Sequence, residues 1–239
     1  MSASLQRNPR GNLRRFGRLA RAELGFAARY GILPLYGVIA VIYLALLSAI
    51  APAARPSAGG VIALTDPAAM GLFFMGAIIL LEKSQRVHWA LAASPVRVGE
   101  YVAAKVLALW CAGLPVGLAV TVYAGLPLGS AALSLALSSV LFTLLGLWLA
   151  AESGSLNQFL LLTIPVELVA FVPAMFYWYG ALTSPLWLLN PGVATLALFT
   201  QPAARWPAAA LSLLCWNAVA YGFCRRAVGK FLNRLGGSK

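Results

Sequence analysis

The sequence predicts an all-α polytopic membrane protein: six transmembrane helices preceded by an N-terminal amphipathic interfacial helix. Three observations carry this. Hydrophobic residues make up 61% of the 239-residue chain and charged residues only 10%, against about 25% charged in soluble domains, so there is more apolar surface than a soluble fold of this size can hide. The apolar residues gather into six runs near the length of about 20 residues that a spanning helix needs. Finally, 16 of the 18 Lys and Arg residues fall on one side of the resulting topology, the bias that marks the cytoplasmic face.

The first element is Leu13–Tyr30. At 100° per residue, Arg14, Arg18, Arg21 and Arg29 share one arc, with Arg15 at its edge, and Leu13, Phe16, Leu19, Ala20, Leu24, Phe26, Ala27 and Tyr30 fill the opposite side. That pattern describes a helix lying in the membrane interface. Glu23 interrupts the apolar arc. A carboxylate against acyl chains is costly, so this stretch is expected to meet protein. Two readings stand: a lipid-anchoring helix, or one clamped between membrane and a partner subunit.

The six spans are Gly31–Ala51, Pro67–Leu81, Ala103–Ala124, Ala131–Ala151, Phe159–Tyr179 and Pro207–Cys224. The second is short and can borrow Val61–Leu64. Asp66-Pro67 reads as its start, with Asp66 as N-cap and Pro67 at the first helical position. Ala49-Ile50-Ala51 has the small-x-small form of a signal-peptide cleavage site, but the basic and apolar stretches before it are too long for one, so the segment is expected to stay as a span. Seven arginines precede span one, four basic residues lie between spans two and three or at the start of three, and five follow span six; only Arg55 and Arg205 face the other way. Both termini are therefore expected in the cytoplasm, with the chain multi-pass in a cell inner (plasma) membrane. Residues 1–30 form the cytoplasmic N-terminus, 31–226 the membrane domain and 227–239 a basic tail. Although the net charge is +12, the basic residues flank apolar spans. They suit lipid headgroups and a cytoplasmic partner, not nucleic acid.

Two loops are unusual. Between spans two and three, residues 83–95 use far more chain than a reversal requires. Val87, Ala90 and Leu91 recur at i, i+3, i+4, predicting a short helix beneath the membrane that Ser94-Pro95 ends. Glu100 and Lys105 then open span three at headgroup level. Outside, 184–201 is too apolar for an ordinary loop: Leu186–Leu189 and Val193–Phe199 flank Asn190-Pro191-Gly192, and each half is too short to span. A broken, re-entrant hairpin in the outer leaflet is expected, placed to cap an exit path. The aromatic run Phe176–Tyr179 reads as an interfacial belt.

Chemistry-bearing motifs are few. Gly229-Lys230 is followed by Phe231, and no Gly-x-x-x-x-Gly-Lys-Ser/Thr loop occurs, so nucleotide phosphates cannot be cradled in the P-loop manner. Cys111, Cys215 and Cys224 lie in apolar runs, without metal spacing or a disulfide framework. No catalytic, cofactor or metal residue is expected, and the chain is not read as an enzyme. Glu167 is the one acidic residue well inside a span, about 12 Å along the helix from Phe159 at 1.5 Å per residue. Intramembrane carboxylates default to functional roles, making Glu167 the substrate-path candidate: a cavity lining, a counter-charge for a cation or a proton carrier. The other reading is a protonated Glu hydrogen-bonded near Pro165.

Phe74-Met-Gly-Ala-Ile-Ile-Leu-Leu-Glu82-Lys83, the Leu91-x-x-Ser94-Pro95 turn and Glu100-Tyr101-x-x-x-Lys105 resemble the ABC-2 type permeases, the membrane subunits of one class (type V) of ABC exporters, and within them the drug-export permeases. The chain departs from the pattern in carrying Ser94 where Thr is usual, and His88-Trp89 where small or polar residues are common. The resemblance implies a coupling helix at 83–95 seated in a cleft of a separately encoded ATPase. Glu82, Lys83, Arg86, His88, Trp89 and Leu91 would be its contact residues, along with Ser94, Pro95, Glu100 and Glu23. It also implies two copies of that ATPase, which would bind the Mg-ATP that this chain does not, and a second permease subunit, identical or related. The implied function is ATP-driven export of an amphiphilic or drug-like substrate, a lipid or a peptide, by alternating access. The residues alone leave open a proton-coupled secondary transporter, or a non-transporting membrane assembly protein.

Overall fold

Six helices are long and apolar enough to cross a membrane, and no strand occurs among the described residues, which in this computed structural model are 9–85, 96–199 and 203–233. Helix α1 (Pro9–Arg29) is the amphipathic entrance. Arg14, Arg18, Arg21 and Arg29 are exposed along it, while Ala20 and Ala27 are buried against the bundle. Gly31, at φ 76°, lets the chain turn from α1 into the first span α2 (Ile32–Ala49), a left-handed conformation that costs glycine nothing.

Span two corrects the sequence reading. Asp66-Pro67 does not start it. Helix runs from a 3-10 turn at Pro52–Ala54 through α3 (Arg55–Ala68), one π turn at Ala69–Phe74, and α4 (Met75–Ser84), 33 residues in all. Pro67 sits inside the helix, where its missing N–H interrupts the α ladder. The ladder widens to π bonding directly afterwards. Asp66 caps nothing; it is buried, and its Oδ1 accepts the Tyr36 hydroxyl at 3.2 Å. The outer half of the span looks like a loop in sequence because of Pro56-Ser57 and Gly59-Gly60. Those glycines instead admit neighbours: a Cβ on Gly59 would collide with Ala124, and one on Gly60 with the Trp178 ring.

Helix α5 (Val98–Ala124) starts earlier than expected, its first turn closed by Glu100 Oε2 accepting the Arg97 N–H at 3.1 Å. Helix α6 (Leu128–Glu152) runs through the middle of the bundle, packed on α5, on span two and on the last helix. Its buried residues include a set of small and polar ones, Ser130, Ala131, Ser134, Ser138, Thr143 and Gly146, beside leucines and Phe142. Small residues let helix backbones approach closely in membranes. Here Gly146 meets the carbonyls of Gly71 and Leu72, and Gly71 meets the backbone of Phe142 and Thr143. The π turn and α6 therefore cross almost backbone on backbone.

Helix α7 (Leu156–Trp178) is the fifth span and lies at the edge of the bundle, with Leu161, Leu168 and Val169 among many exposed apolar side chains. The segment expected to be re-entrant holds a 3-10 turn, Pro185–Leu189, and a short helix α8 (Pro191–Ala197). Asn190 joins them: its Oδ1 accepts the N–H groups of Gly192 and Val193, and its amide donates to Val169 O at 2.6 Å. Every residue from Pro191 to Phe199 is buried, so this half enters the protein between α7 and the last helix, not the lipid. Ser134 Oγ donates to Thr195 O at 2.7 Å. The last helix, α9 (Trp206–Asn233), continues past Cys224 through Arg225, Arg226 and Lys230.

Candidate functional site

Two arrangements bear on function. The first knits together the charge-rich end of the bundle. Glu82 at the end of α4 and Lys105 one turn above Tyr101 in α5 face each other. Lys105 Nζ also reaches Glu23 Oε2 of α1 at 2.8 Å, and the Tyr101 hydroxyl donates to Glu82 Oε2 at 2.7 Å. Lys105 is 1% exposed, so it faces inward and not the headgroups, as expected of a buried charge, which persists only when paired. Its i, i+4 spacing from Tyr101 puts both side chains on one helix face. Burial pushes the Glu23 carboxyl above its ordinary value; the Lys105 charge pulls the other way and Glu82 adds to the rise.

Two more contacts extend this cluster. Arg15 Nη2 lies 2.8 Å from Glu100 Oε1, tying α1 to the start of α5. Lys83 Nζ donates to the carbonyls of Ala150, Ala151 and Ser153 at 2.7, 3.0 and 2.8 Å. All three ammonium protons thus go to carbonyls at the C-terminal end of α6, where a positive charge also suits the helix dipole. The Phe231 ring of α9 lies 4.7 Å from the same nitrogen. In consequence α1, α4, α5, α6 and α9 are fastened to one another around the C-terminal end of α4 and the N-terminal end of α5.

The second arrangement is a groove of about 380 Å³ between spans two and five. Thr65, Ala68 and Phe73 form one wall. Ile164, Glu167, Leu168, Phe171 and Val172 form the other, one face of α7. Glu167 makes no hydrogen bond or ion pair with any described residue. Among the described residues no group of three or more His, Cys, Asp or Glu could hold a metal.

No family model matches the chain. Over 227 residues it is 32% identical to the fluoroquinolones export permease proteins of Mycobacterium tuberculosis strains CDC 1551 and H37Rv, covering 88% of this chain and 92% of each relative. The chain belongs to the ABC-2 type drug-export permeases. Its multi-pass helical architecture and the layout of its motifs are those of a membrane transport subunit.

Of the permease's sequence-predicted contact residues, Glu82, Lys83, Glu100 and Glu23 all lie in the charge-rich cluster, each held by groups of this same chain. Arg86, His88, Trp89, Leu91, Ser94 and Pro95 lie outside the described residues, as does the short helix expected there. Glu167 lines the groove. The sequence reading left out Lys105 and Tyr101 as site residues and missed the capping role of Lys83. The available signal was Glu23: a lone carboxylate in an apolar arc requires a buried cation, and Lys105 is the lysine nearest the same membrane face that lies within an apolar run. Within the aromatic run 176–179, Phe176 and Tyr179 are exposed, whereas the Trp178 Nε1 donates to Ser57 O at 3.1 Å.

Proposed function

We propose that the permease is the transmembrane subunit of an ATP-driven ABC exporter in a prokaryotic inner membrane, with both termini cytoplasmic. It moves amphiphilic, drug-like molecules, the fluoroquinolones of its relatives' name among them, out of the cytoplasm or inner leaflet by alternating access. A separately encoded ATPase, present in two copies, hydrolyses Mg-ATP, and a second permease subunit completes the pathway. The observation that carries this reading is the rooting of residues 86–95. A lever transmits force only if its ends are anchored, and here both ends are fixed into the helices that wall the bundle. Glu82 and Lys83 hold the entry; Arg97, Glu100 and Lys105 hold the exit. Residues 83–95 engage the ATPase cleft, and α1 lies beside the same subunit. Closure of the ATPase dimer on ATP then moves α4, α5 and α6 together, while the largely exposed α7 stays free to shift against them.

The test is reconstitution. The permease is purified from native membranes, and proteoliposomes are assayed for ATP-dependent export with and without the ATPase that accompanies it. Export that needs both is the expected result. Transport by the permease alone, driven by a proton gradient without ATP, would replace this reading with a secondary transporter.

A further inference from the structure

The last span carries a patch of charge that the bundle leaves unbalanced. Arg225, Arg226 and Lys230 are exposed toward the end of α9, and none of the three makes an ion pair or a hydrogen bond with a described residue. With Tyr221, Gly222 and Gly229 they line an open hollow of about 590 Å³ that holds no carboxylate. The Phe231 ring lies 4.7 Å from Lys83 Nζ, which sets the hollow level with the charge-rich end of the bundle. Cations gathered at headgroup depth, with nothing of the chain to neutralise them, recognise an anion there.

The shape of the hollow says which anion. At 100° per residue, Gly222 and Gly229 fall within about 20° of one another on α9, and Arg225 and Arg226 stand about 50° to either side. Two guanidinium groups therefore flank a floor without side chains. A Cβ on either glycine would meet nothing of the chain within 4 Å, so the floor is left open for a ligand to approach the backbone. Each guanidinium fork matches two phosphate oxygens. Toward the middle of the span the floor continues through exposed Ala218 and Cys215, between the exposed side chains of Leu214 and Val219. Cys215 lies eleven residues from Arg226, about 16 Å along the helix, against roughly 15 Å for the hydrocarbon depth of one leaflet. A phosphate clamp that opens into an apolar furrow one leaflet deep has the two halves of a phospholipid site.

We propose that this face of α9 binds an anionic phospholipid of the adjoining leaflet, with its phosphate between Arg225 and Arg226, Lys230 adding charge, and one acyl chain laid along Gly222, Ala218 and Cys215. The lipid is a resident of the permease's surface and not its cargo, so the site does not depend on the export reading. The uncompensated positive charge selects an anionic headgroup over a zwitterionic one, whose own ammonium the arginines repel.

Binding is measured on the purified, delipidated full-length permease in detergent by native mass spectrometry. Dioleoyl phosphatidylglycerol is titrated against dioleoyl phosphatidylcholine, which shares its chains and phosphate but is net neutral. The expected result is saturable phosphatidylglycerol binding at least about tenfold tighter than that of phosphatidylcholine. Replacing both arginines, Arg225→Gln with Arg226→Gln, removes that preference. Arg225→Lys with Arg226→Lys, which keeps the charge and loses the forks, retains part of it. Gly222→Leu fills the furrow and weakens phosphatidylglycerol binding, while the thermal midpoint in lipid-free detergent stays unchanged because a side chain there meets nothing of the chain. Equal affinity for the two lipids, an unaltered preference in the double Gln variant, or undiminished binding by Gly222→Leu overturns the proposal. Displacement of phosphatidylglycerol by excess inorganic phosphate also overturns it, because the site then takes the free ion. If the double Gln variant loses copurification with the ATPase while binding phosphatidylglycerol as the parent does, the face belongs to the ATPase and the lipid site falls.

Discussion

Lys105 Nζ lies 2.8 Å from Glu23 Oε2, pinning the amphipathic entrance helix to the third span across 82 residues of sequence. The same ammonium pairs with Glu82, so one buried cation serves two carboxylates from two other helices. Breaking a buried pair from one side leaves charge stranded, which costs about 3–5 kcal/mol. Lys105→Met is therefore expected to lower stability by about that much, read as a large drop in the thermal midpoint of the purified protein. Glu82→Gln, which keeps the shape and an acceptor for Tyr101, is expected to cost distinctly less.

Glu23 makes stability depend on pH. Its carboxyl is raised in the fold by burial from an ordinary value of about 4.3. Below that value the folded and unfolded chains are equally protonated. As pH rises toward the raised value the folded chain holds more protons than the unfolded one, so stability declines through this window. The contribution is fully present at acid pH and lost as Glu23 ionises in the fold. Unfolding midpoints across pH 4–8 should fall less steeply in Glu23→Gln than in the parent; parallel curves would show that Glu23 is not the source.

The crossing of Gly71 and Gly146 admits no side chain. Gly146→Val forces a branched group against the Gly71 and Leu72 carbonyls, and overpacking of this kind costs about 1–3 kcal/mol. Gly37→Ala is the control, since a Cβ there meets nothing within 4 Å. Yield of folded protein should drop for the first variant and hold for the second.

A charge placed on the proposed coupling segment tests the lever. Trp89→Asp or Leu91→Asp is expected to leave insertion and the unfolding midpoint unchanged, while ATP hydrolysis by the complex no longer drives export. Normal export by either variant would rule out residues 83–95 as the coupling element.

The spans were legible in the sequence because they follow from length and hydropathy alone. The outer half of span two was not. Pro56, Ser57, Gly59 and Gly60 carry loop chemistry locally, and only the close approach of Ala124 and Trp178 explains them as helix. The burial of α8 was hidden for a similar reason, since an apolar segment too short to span suits lipid and protein equally. The charged cluster was half legible: Glu82, Lys83, Glu100 and Glu23 stood out as charges beside apolar runs, whereas the pairing of Lys105 with carboxylates 23 and 82 residues away depends on which helices are neighbours.

The π turn at Ala69–Phe74 has one last implication. Such a turn holds one residue more than an α-helix would need over the same rise, and each residue rotates an α-helix by about 100°. Straightening it into α bonding would swing the Glu82 half about its axis against the Thr65 half, like a shaft with a built-in twist. Cutting one residue out of the turn, by contrast, would leave both halves aimed as they are and take away that torsional freedom.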